Sequence, residues 1–573
     1  MEIKPFQKIM VANRGEIALR IFRACYDLNL RTVAVYSAED TYSLYRTRAD
    51  EAYLIGENKS PLAAYLDIPG IIDLAKRRNV DAIHPGYGFL SENAEFARAC
   101  RDAGITFIGP SPEILDQMGD KLAAKTIAQA CGVPTIPGST RPLRDAEDAV
   151  ALAEQYGYPV LLKAAGGGGG RGMRRCDTAE ELRVHFPQVQ SEARKAFGNE
   201  DIFIEKFLVE PKHIEVQILG DRYGNIVHLY ERDCSLQRRY QKVVEFAPAW
   251  SVPEELRNRL YADAVKIARH VGYVSAGTIE FLVDQSGSYY FIEMNPRIQV
   301  EHTVTEELTG IDLVRSQILI AEGYPLFDDA IGIRRQVDVQ ARGYALQCRI
   351  TTEDPKNNFL PDIGKITSYR SSGGNGVRLD GSNSYVGAEV SPYYDSLLVK
   401  ITCHDQTFDG LCRKALRAIS EEQIRGVKTN IPFITNILQH PDFQAGRCHT
   451  KFIDETPELF DFEEGKDRAT KVLRYIAEIQ VANPSAERAQ YDVPRFPRPE
   501  HTAQPEGLKQ LLDREGPEAV KNYVLHEKRL LITDTTMRDA HQSLLATRMR
   551  TRDMLGAAEG TAEILNNCFS LEM

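Results

Sequence analysis

Residues 290–302 read Tyr-Phe-Ile-Glu-Met-Asn-Pro-Arg-Ile-Gln-Val-Glu-His, an apolar segment that ends in charged and amide side chains. Because a β-strand alternates its faces, we predict that Glu293 and Asn295 point to one side, with Ile292 and Met294 toward a packed core. Residues 277–284, Gly-Thr-Ile-Glu-Phe-Leu-Val-Asp, have the pattern of a second strand, and Gln-Ser-Gly-Ser at 285–288 is typical of a hairpin turn. A symmetric hairpin places Glu280 opposite Glu293.

Two carboxylates that face each other across an antiparallel pair repel unless a positive group lies between them. A hard divalent cation fits best, since Mg²⁺ usually takes one or two carboxylates together with substrate phosphates. Glu280, Glu293 and the Asn295 amide supply suitable oxygen ligands. The alternative is an exposed hairpin whose acids are simply solvated.

Composition indicates a multidomain protein outside the nucleic-acid-binding classes. The chain has 573 residues, 43% hydrophobic and 26% charged, with a net charge of −11. This length suggests about three or four domains, and the negative charge argues against a polyanionic partner. No apolar run reaches the roughly 18 residues of a membrane span, and no signal or transit segment precedes the first strand. The ten cysteines lack a Cys-x-x-Cys pair, which favours reduced core residues in a cytoplasmic protein.

The first two domains are predicted to be α/β units. Short buried-type strands alternate with helices over residues 1–115, which indicates a parallel layer. Its first turn, Asn13-Arg14-Gly15-Glu16, lacks the Gly-x-Gly-x-x-Gly spacing of a nicotinamide site. A helix near Asp120 then leads into a second unit, residues 116–335.

A lysine followed by glycines marks a phosphate-binding candidate in this second unit. The buried strand 159–165 carries Lys163, and five glycines follow at 166–170. A glycine backbone can fold its N–H groups around phosphate oxygens because no side chain blocks their approach. The alternative is a flexible linker, which the neighbouring strand and basic segment 171–175 argue against.

Three further segments complete the predicted organisation. Residues 336–455 have the pattern of a separate α+β cap, and residues 456–528 combine a helix near 470–477 with a Pro-rich linker at 494–499. Residues 529–573 form the last segment. We therefore predict a multidomain chain of α/β and α+β type.

Several long motifs in order carry a resemblance to a known family. They are the glycine-rich loop after a strand lysine, the paired glutamates, the segment 293–302, His-Pro-Gly-Tyr-Gly-Phe-Leu-Ser-Glu-Asn at 84–93 and Glu-Arg-Asp-Cys-Ser-Leu-Gln-Arg-Arg at 231–239. Over residues 1 to about 455 the chain resembles the biotin carboxylases, enzymes of ATP-grasp architecture. That resemblance implies formation of carboxyphosphate from ATP and bicarbonate, followed by carboxylation of the ureido nitrogen of biotin.

The resemblance implies a nucleotide site and a metal site. The residues matching the family's ATP site are Lys121, Lys163, Gly168, Gly169, Gly170, Glu205, Lys206, Leu208, His213 and Gln237, and those matching its Mg²⁺ (or Mn²⁺) ligands are Glu280, Glu293 and Asn295. His213 alone would more often be a hydrogen-bonded strand histidine. Tyr240 stands where many members have His, and since tyrosine carries no positive charge at neutral pH, nucleotide or metal affinity is expected to differ.

The resemblance also implies the chemistry of the second substrate. Lys242, Arg297, Gln299 and Val300 match the bicarbonate pocket, where Arg offers a planar fork and Lys a point charge. Glu301 matches the general base, and Arg349 matches the residue that stabilises the biotin enolate. Taken singly, Glu301 would be a salt-bridged acid and Arg349 an arginine paired with an acid.

The last segment resembles a different domain. Leu-Leu-Ile-Thr-Asp-Thr-Thr-Met-Arg-Asp-Ala-His-Gln-Ser at 530–543 is similar to the opening strand of the carboxyltransferase barrel of pyruvate carboxylases, with Asp539 as a metal ligand and Arg538 and Gln542 near the acceptor. No His or Lys follows His541, and no Met-Lys biotin-attachment motif occurs. We therefore expect only the incomplete start of a TIM-type barrel, with biotin supplied on a carrier domain that this chain lacks.

Three functional hypotheses follow. The first is an ATP-, metal- and bicarbonate-dependent biotin carboxylase acting as a homo-oligomer, either a dimer or a tetramer. The second is a non-catalytic assembly fragment, and the third is an ATP-grasp ligase with another acceptor. The segment 293–302 argues against the third hypothesis.

Overall fold

The computed structural model describes residues 3–139, 141–164, 173–197, 200–381, 383–462, 468–482, 506–544 and 549–572. The chain divides into two compact units, residues 1–463 and 464–573. Within the described ranges, no helix is both long enough and apolar enough to cross a bilayer.

The N-terminal part of the first unit is a parallel five-stranded sheet in the order β3-β2-β1-β4-β5. This confirms the predicted α/β layer, although β3 was not predicted. Every strand contributes apolar residues that pack under the helices, as expected for a parallel sheet covered on both faces. The elements are β1 (Lys8–Val11), α1 (Gly15–Asp27), β2 (Arg31–Tyr36), β3 (Glu51–Leu54), α2 (Pro61–Tyr65), α3 (Ile68–Arg77), β4 (Ala82–His84), α4 (Ala94–Asp102), β5 (Thr106–Phe107) and α5 (Pro112–Gly119).

A small three-stranded sheet follows, in the order β7-β6-β8. Asp120 caps the helix that leads into it, because its carboxylate accepts hydrogen bonds from the backbone N–H groups of Leu122 and Ala123. The predicted loop glycines, Gly168 to Gly170, lie outside the described residues. The elements are α6 (Lys121–Ala130), α7 (Ala146–Tyr156), β6 (Val160–Ala164), β7 (Met173–Cys176), α8 (Ala179–Phe197) and β8 (Ile202–Lys206).

The rest of the first unit supplies the strands of one large sheet. The elements are β9 (Lys212–Gly220), β10 (Ile226–Arg238), β11 (Gln241–Ala247), α9 (Glu254–His270), β12 (Ser275–Val283), β13 (Tyr289–Asn295), α10 (His302–Thr309), α11 (Leu313–Glu322), β14 (Tyr344–Thr351), β15 (Glu353–Asp354), β16 (Leu360–Pro361), β17 (Gly364–Lys365), β18 (Ser368–Arg370), β19 (Val377–Gly381), β20 (Glu389–Val390), β21 (Leu397–Asp405), α12 (Phe408–Glu421), β22 (Gln423–Arg425), α13 (Ile431–Gln439), α14 (Pro441–Gln444) and α15 (Phe452–Glu455).

Eight of these strands form a continuous sheet in the order β13-β12-β9-β10-β11-β14-β21-β19. Three strands within residues 336–455, β14, β21 and β19, belong to this sheet rather than to a sheet of their own. Strand β14 pairs with β11 in an antiparallel register, so the C-terminal strands extend the sheet that carries the metal-type glutamates. This edge-to-edge continuation joins distant parts of the chain into one surface.

The predicted hairpin is confirmed, with one correction. Glu280 pairs with Glu293, but the register shifts immediately afterwards, so that Phe281 pairs with Phe291. This irregularity leaves Ile292 on the same side as Glu293, against the cavity, while Phe291 and Met294 enter the core. The extra residue of a bulge breaks the strict alternation assumed from the sequence.

The second unit contains short elements. They are α16 (Arg468–Ala482), α17 (Leu508–Glu515), α18 (Pro517–His526), β23 (Thr533–Asp534), α19 (His541–Ser543), α20 (Thr551–Ile564) and β24 (Ser570–Leu571). The helix predicted near 470–477 lies within α16. Strands β23 and β24 are parallel, and the predicted opening strand is limited to Thr533–Asp534, which pairs with Ser570–Leu571. The Pro-rich span 494–499 lies outside the described residues.

Candidate active site

Four charged residues form a row across four neighbouring strands. Glu293 on β13 pairs with Glu280 on β12, Glu280 pairs with Glu215 on β9, and Glu215 pairs with Arg232 on β10. Directly opposed residues in antiparallel strands project from the same face of the sheet. Three carboxylates and one guanidinium group are therefore aligned on a single face.

Lys242, on β11, neutralises much of this row. Its ammonium lies 2.5 Å from Glu215 Oε2, 2.9 Å from Glu280 Oε1 and 2.7 Å from Glu301 Oε1. Burial alone would lower the pKa of Lys242, but the three glutamates outweigh that effect and raise the pKa well above its usual value. The lysine therefore remains charged and holds three carboxylates from three elements together.

Arg232, the guanidinium member of the row, holds its neighbours through several hydrogen bonds. Its side chain has no solvent exposure, and it donates to Glu215 Oε1 at 2.6 Å and to Gln299 Oε1 at 2.7 Å. It also donates to the side chains of Gln217, Thr278 and Thr305. A buried guanidinium with all these acceptors is well satisfied and fixes the orientation of its partners.

Glu301 lies at the N-terminal end of α10, between two cations. Its carboxylate accepts from Lys242 at 2.7 Å and from Arg349 Nη2 at 2.8 Å. Arg349 also donates to Glu245 at 2.5 Å. Burial raises the pKa of Glu301, but Lys242 and Arg349 more than compensate, and the net pKa is lowered. Glu301 is therefore ionised at neutral pH.

The other predicted bicarbonate residues surround this pair. Gln299 donates to Glu280 Oε1 at 2.9 Å, and Arg297 donates to Asn295 Oδ1 at 3.0 Å. The carbonyl of Val300 accepts from Lys400 at 2.9 Å. The segment following β13 is thus fixed by side-chain contacts on both of its faces.

Several of the predicted nucleotide residues lie on a different sheet, formed by β6, β7 and β8. Lys163 and Glu205 form an ion pair between β6 and β8, and Lys125 lies 3.7 Å from the same Glu205 carboxylate. The Lys206 ammonium donates to the carbonyls of Gly157 and Tyr158, so its side chain braces a loop.

Two more predicted nucleotide residues, His213 and Gln237, adjoin the row of glutamates. Gln237 Nε2 lies 2.8 Å from His213 Nδ1, and His213 Nε2 lies 2.9 Å from Glu280 Oε2. Tyr240 is 67% exposed, adopts a left-handed backbone with φ +64° and lines the cavity. Its side chain is therefore accessible to a ligand.

One cavity of about 1770 Å³ collects these residues. All the predicted carboxylase residues that the structure describes line it: Lys121, Lys163, Glu205, Lys206, Leu208, His213, Gln237, Lys242, Glu280, Glu293, Asn295, Arg297, Gln299, Val300, Glu301 and Arg349. A cavity of this size accommodates a nucleotide together with smaller substrates.

Glu293 and Glu280 fit a divalent cation. Lys121 lies 3.6 Å from Glu293, whose side chain is 34% exposed. Burial and the neighbouring Glu280 raise the pKa of Glu293, as expected for a carboxylate short of positive charge. Asn295 donates to Glu280 through Nδ2, at 2.9 Å. A hard cation between Glu280 and Glu293 would supply the missing charge.

Sequence reasoning missed the residues behind the cavity wall. Glu215, Arg232 and Glu245 are each fully buried. The β9–β10 hairpin gave no simple signal for the first two, because the register set at its turn would pair Glu215 with Glu231, and a shift after His228 brings Arg232 opposite Glu215 instead. Glu245 gave no local signal either, because its partner Arg349 lies about a hundred residues away.

The predicted carboxyltransferase residues lie on the surface of the second unit. Arg538 donates to Glu572 at 2.6 Å, Asp539 accepts from Ser543 at 3.1 Å, and Gln542 is exposed on α19. Among the described residues, no metal-type cluster of His, Cys, Asp or Glu includes Asp539.

Three protein families match consecutive parts of the first unit. They are the biotin carboxylase N-terminal domain over residues 5–115, the ATP-binding domain of the carbamoyl-phosphate synthase L chain over 120–328 and the biotin carboxylase C-terminal domain over 347–455. A solved biotin carboxylase domain of the Hydrogenobacter thermophilus 2-oxoglutarate carboxylase, a dimer with MgADP, ADP and bicarbonate, is 48% identical. It matches 80% of this chain and 99% of its own length, with a TM-score of 0.74. The chain belongs to the biotin carboxylase family.

Relatives that match the whole chain are pyruvate carboxylases. That of Bacillus subtilis (strain 168) is 52% identical over 578 residues, covering 100% of this chain and 50% of the relative. The structure of Rhizobium etli pyruvate carboxylase T882A with the allosteric activator acetyl coenzyme-A is 47% identical. It covers 99% of this chain and 51% of its own, with a TM-score of 0.77. The chain thus spans about half the length of these relatives.

Proposed function

We propose that the chain carboxylates biotin in an ATP- and bicarbonate-dependent reaction through carboxyphosphate, the first half-reaction of a pyruvate carboxylase. The observation that carries the proposal is the contact of Glu301 with both Lys242 and Arg349 inside a cavity that also contains the nucleotide-type residues. A base, an anion-binding lysine and a permanent cation therefore meet where a nucleotide can bind.

In this proposal the nucleotide occupies the end of the cavity near Lys163 and Glu205. Lys121 and Lys163 offer charge to its phosphates, and His213 and Gln237 offer polar contacts to its ribose. Glu280, Glu293 and Asn295 would hold Mg²⁺ (or Mn²⁺). The metal supplies charge neutralisation of the phosphates when it is bound.

Bicarbonate is proposed to bind between Lys242 and Arg297, with Gln299 and the Val300 backbone completing its pocket. Glu301 takes the bicarbonate proton, so that an oxygen of the substrate can attack the terminal phosphorus of ATP and release ADP. A carboxylate held by two cations is a weak base. If the biotin oxygen draws Arg349 away from Glu301, the basicity of Glu301 increases. Glu301 would then become an effective base only after the carboxyl acceptor has bound.

The activity of the complete enzyme is a further part of the proposal. The similarity of residues 530–543 to a carboxyltransferase opening strand supports pyruvate as the final acceptor, with oxaloacetate as product. Asp539, Arg538 and Gln542 would then belong to the start of a TIM-type barrel.

The proposed partners are a biotin carrier domain and further copies of the chain. The full-length match to pyruvate carboxylases, of which this chain spans about half, supports a carrier domain as the source of biotin. The H. thermophilus biotin carboxylase domain is described as a dimer, which supports homo-oligomerisation without fixing the number of subunits.

The decisive experiment measures ADP release with and without bicarbonate, and with and without free biotin at millimolar concentration. Stimulation that needs both compounds supports the carboxylase. If the folded chain binds MgADP but releases no bicarbonate-dependent ADP, the assembly-fragment hypothesis is favoured instead. Residual ADP release that ignores bicarbonate would indicate ordinary ATP hydrolysis.

A further inference from the structure

The Val300–Glu301 segment is held from behind by a buried lysine that the proposed chemistry does not use. Lys400 Nζ donates to the Val300 carbonyl at 2.9 Å and lies 3.0 Å from Glu16 Oε1. The Lys400 side chain has no solvent exposure, and Lys400 does not line the cavity. Its contacts join β21 and α1 to the loop that carries the proposed base.

Lys400 and Arg349 act on adjacent positions of that loop. They lie directly opposite each other on β21 and β14, so they project from the same face of the sheet. Arg349 holds the Glu301 carboxylate, and Lys400 holds the carbonyl of the preceding residue, Val300. Side chain and backbone of the loop are thereby fixed by two neighbouring cations.

Glu16 links this arrangement to α1 and to the cavity, which Glu16 itself lines. Its Oε1 atom accepts a hydrogen bond from the Tyr87 hydroxyl, and Tyr87 lines the cavity. Its Oε2 atom is buried and has no hydrogen-bond partner among the described residues. Burial raises the pKa of Glu16, although Lys400 opposes the shift. The Glu16 carboxylate is therefore held mainly by Lys400 and Tyr87.

A buried ion pair is a poor source of stability, because an apolar pair of similar volume often serves equally well. What an apolar pair cannot provide is a directed donor to a backbone carbonyl. We infer that Lys400, with Glu16 as its counter-charge, is a positioning residue that fixes the Val300 carbonyl and so sets the bicarbonate pocket and the direction of Glu301. The inference rests on the proposed function.

The test uses two variants of the full chain. Lys400→Met removes the donor but strands Glu16 in the interior, whereas Glu16→Gln/Lys400→Met removes both charges and protects folding. In both variants we expect the KM for bicarbonate to rise about tenfold or more, since a hydrogen bond from a charged group is lost. The KM for ATP should stay within about twofold, because the nucleotide residues lie on other strands.

Lys414→Met is the matched control. Lys414 also contacts one carboxylate, Asp405 at 2.8 Å, and donates to one carbonyl, that of His404 at 2.6 Å. It lies on α12 outside the cavity, so its loss should leave both KM values unchanged. A purely structural role for Lys400 would lower Tm and change both KM values together, which would overturn the inference.

Two further outcomes separate the inference from the proposed function. If wild-type protein is active and the double variant keeps its bicarbonate KM, only the inference fails. If wild-type protein shows no bicarbonate-dependent ADP release, the proposed function fails, and a crystal structure of the double variant decides the positioning role. An unmoved Val300 carbonyl in that structure overturns it, and a displaced carbonyl supports it.

Discussion

Glu215 and Glu280 lie directly opposite each other on β9 and β12, and a single ammonium group, that of Lys242, contacts both carboxylates. Both acids are buried, and the pKa of each is lowered, because Lys242 and other cationic groups more than offset the effect of burial. Without a cation the two carboxylates would repel each other. The Lys242 ammonium is therefore needed to hold both of them in the cavity wall.

The first prediction concerns Lys242→Met. This change leaves Glu215, Glu280 and Glu301 without their shared partner, and breaking a buried ion pair typically costs about 3–5 kcal/mol. We expect a clearly lower Tm, together with loss of bicarbonate-dependent ADP release. Differential scanning fluorimetry measures the first effect. Lys121→Met is the control for stability, because the Lys121 side chain is 80% exposed, and an equal Tm loss in both variants would contradict the prediction.

The second prediction concerns Glu301→Gln. An amide preserves the size of the side chain but cannot accept the bicarbonate proton, and positioned proton transfer contributes about 10²–10⁴-fold to rate. We expect biotin-stimulated ADP release to fall by about that factor, with MgADP binding retained. Glu307→Gln, on the same helix and partly exposed, should remain active. Full activity of Glu301→Gln would exclude Glu301 as the base.

The third prediction concerns the metal. Glu293→Gln removes a proposed metal ligand whose pKa is raised by burial and by Glu280, so Mg²⁺ should bind more weakly while the nucleotide pocket stays intact. We expect a smaller Tm increase with MgADP, and an unchanged increase with ADP in EDTA. Asp284→Asn, in the turn of the same hairpin, where Asp284 accepts from the Ser286 and Ser288 backbone, is the control. A normal Mg²⁺-dependent increase in Glu293→Gln would rule out this ligand.

The fourth prediction concerns pH. Burial lowers the pKa of His228 to about 4, and its ring stacks on Tyr261 with centroids 4.2 Å apart. The unfolded chain takes up a proton below about pH 6.5, so this histidine costs the folded state about 1.4 kcal/mol per pH unit as pH falls from 6.5 toward 4. His228→Phe removes that titration and keeps a ring on Tyr261.

We therefore expect the Tm of His228→Phe, relative to wild type, to be higher at pH 5 than at pH 7.5. The comparison at pH 7.5 controls for the packing change, because His228 is neutral in both the folded and the unfolded chain there. A Tm difference that is the same at both pH values would contradict the assigned titration.

Much of the site could be predicted from local patterns. The hairpin itself was predicted from strand alternation and a turn-type segment, but the register set by the turn, with Val283 opposite Tyr289, would place Ile292 opposite Glu280, and only the extra residue of the bulge brings Glu293 there. The bulge at Ile292 could not be predicted this way, because it depends on how the core accepts Phe291 and Met294. The roles of single residues such as His213 and Arg349 came from the family resemblance, since each has an ordinary structural explanation on its own.

The sequence by itself determined the hairpin, the parallel N-terminal layer and the residue types that we propose for nucleotide and anion binding, because these depend on periodicity and on chemistry within short segments. Tertiary structure alone decided that β9 lies between β10 and β12 and that β14 and β21 continue the same sheet. Those pairings bring Glu215 to Lys242, Arg349 to Glu301 and Lys400 to Val300 across large sequence separations. Long-range strand order depends on the packing of the whole unit, and no local pattern encodes it.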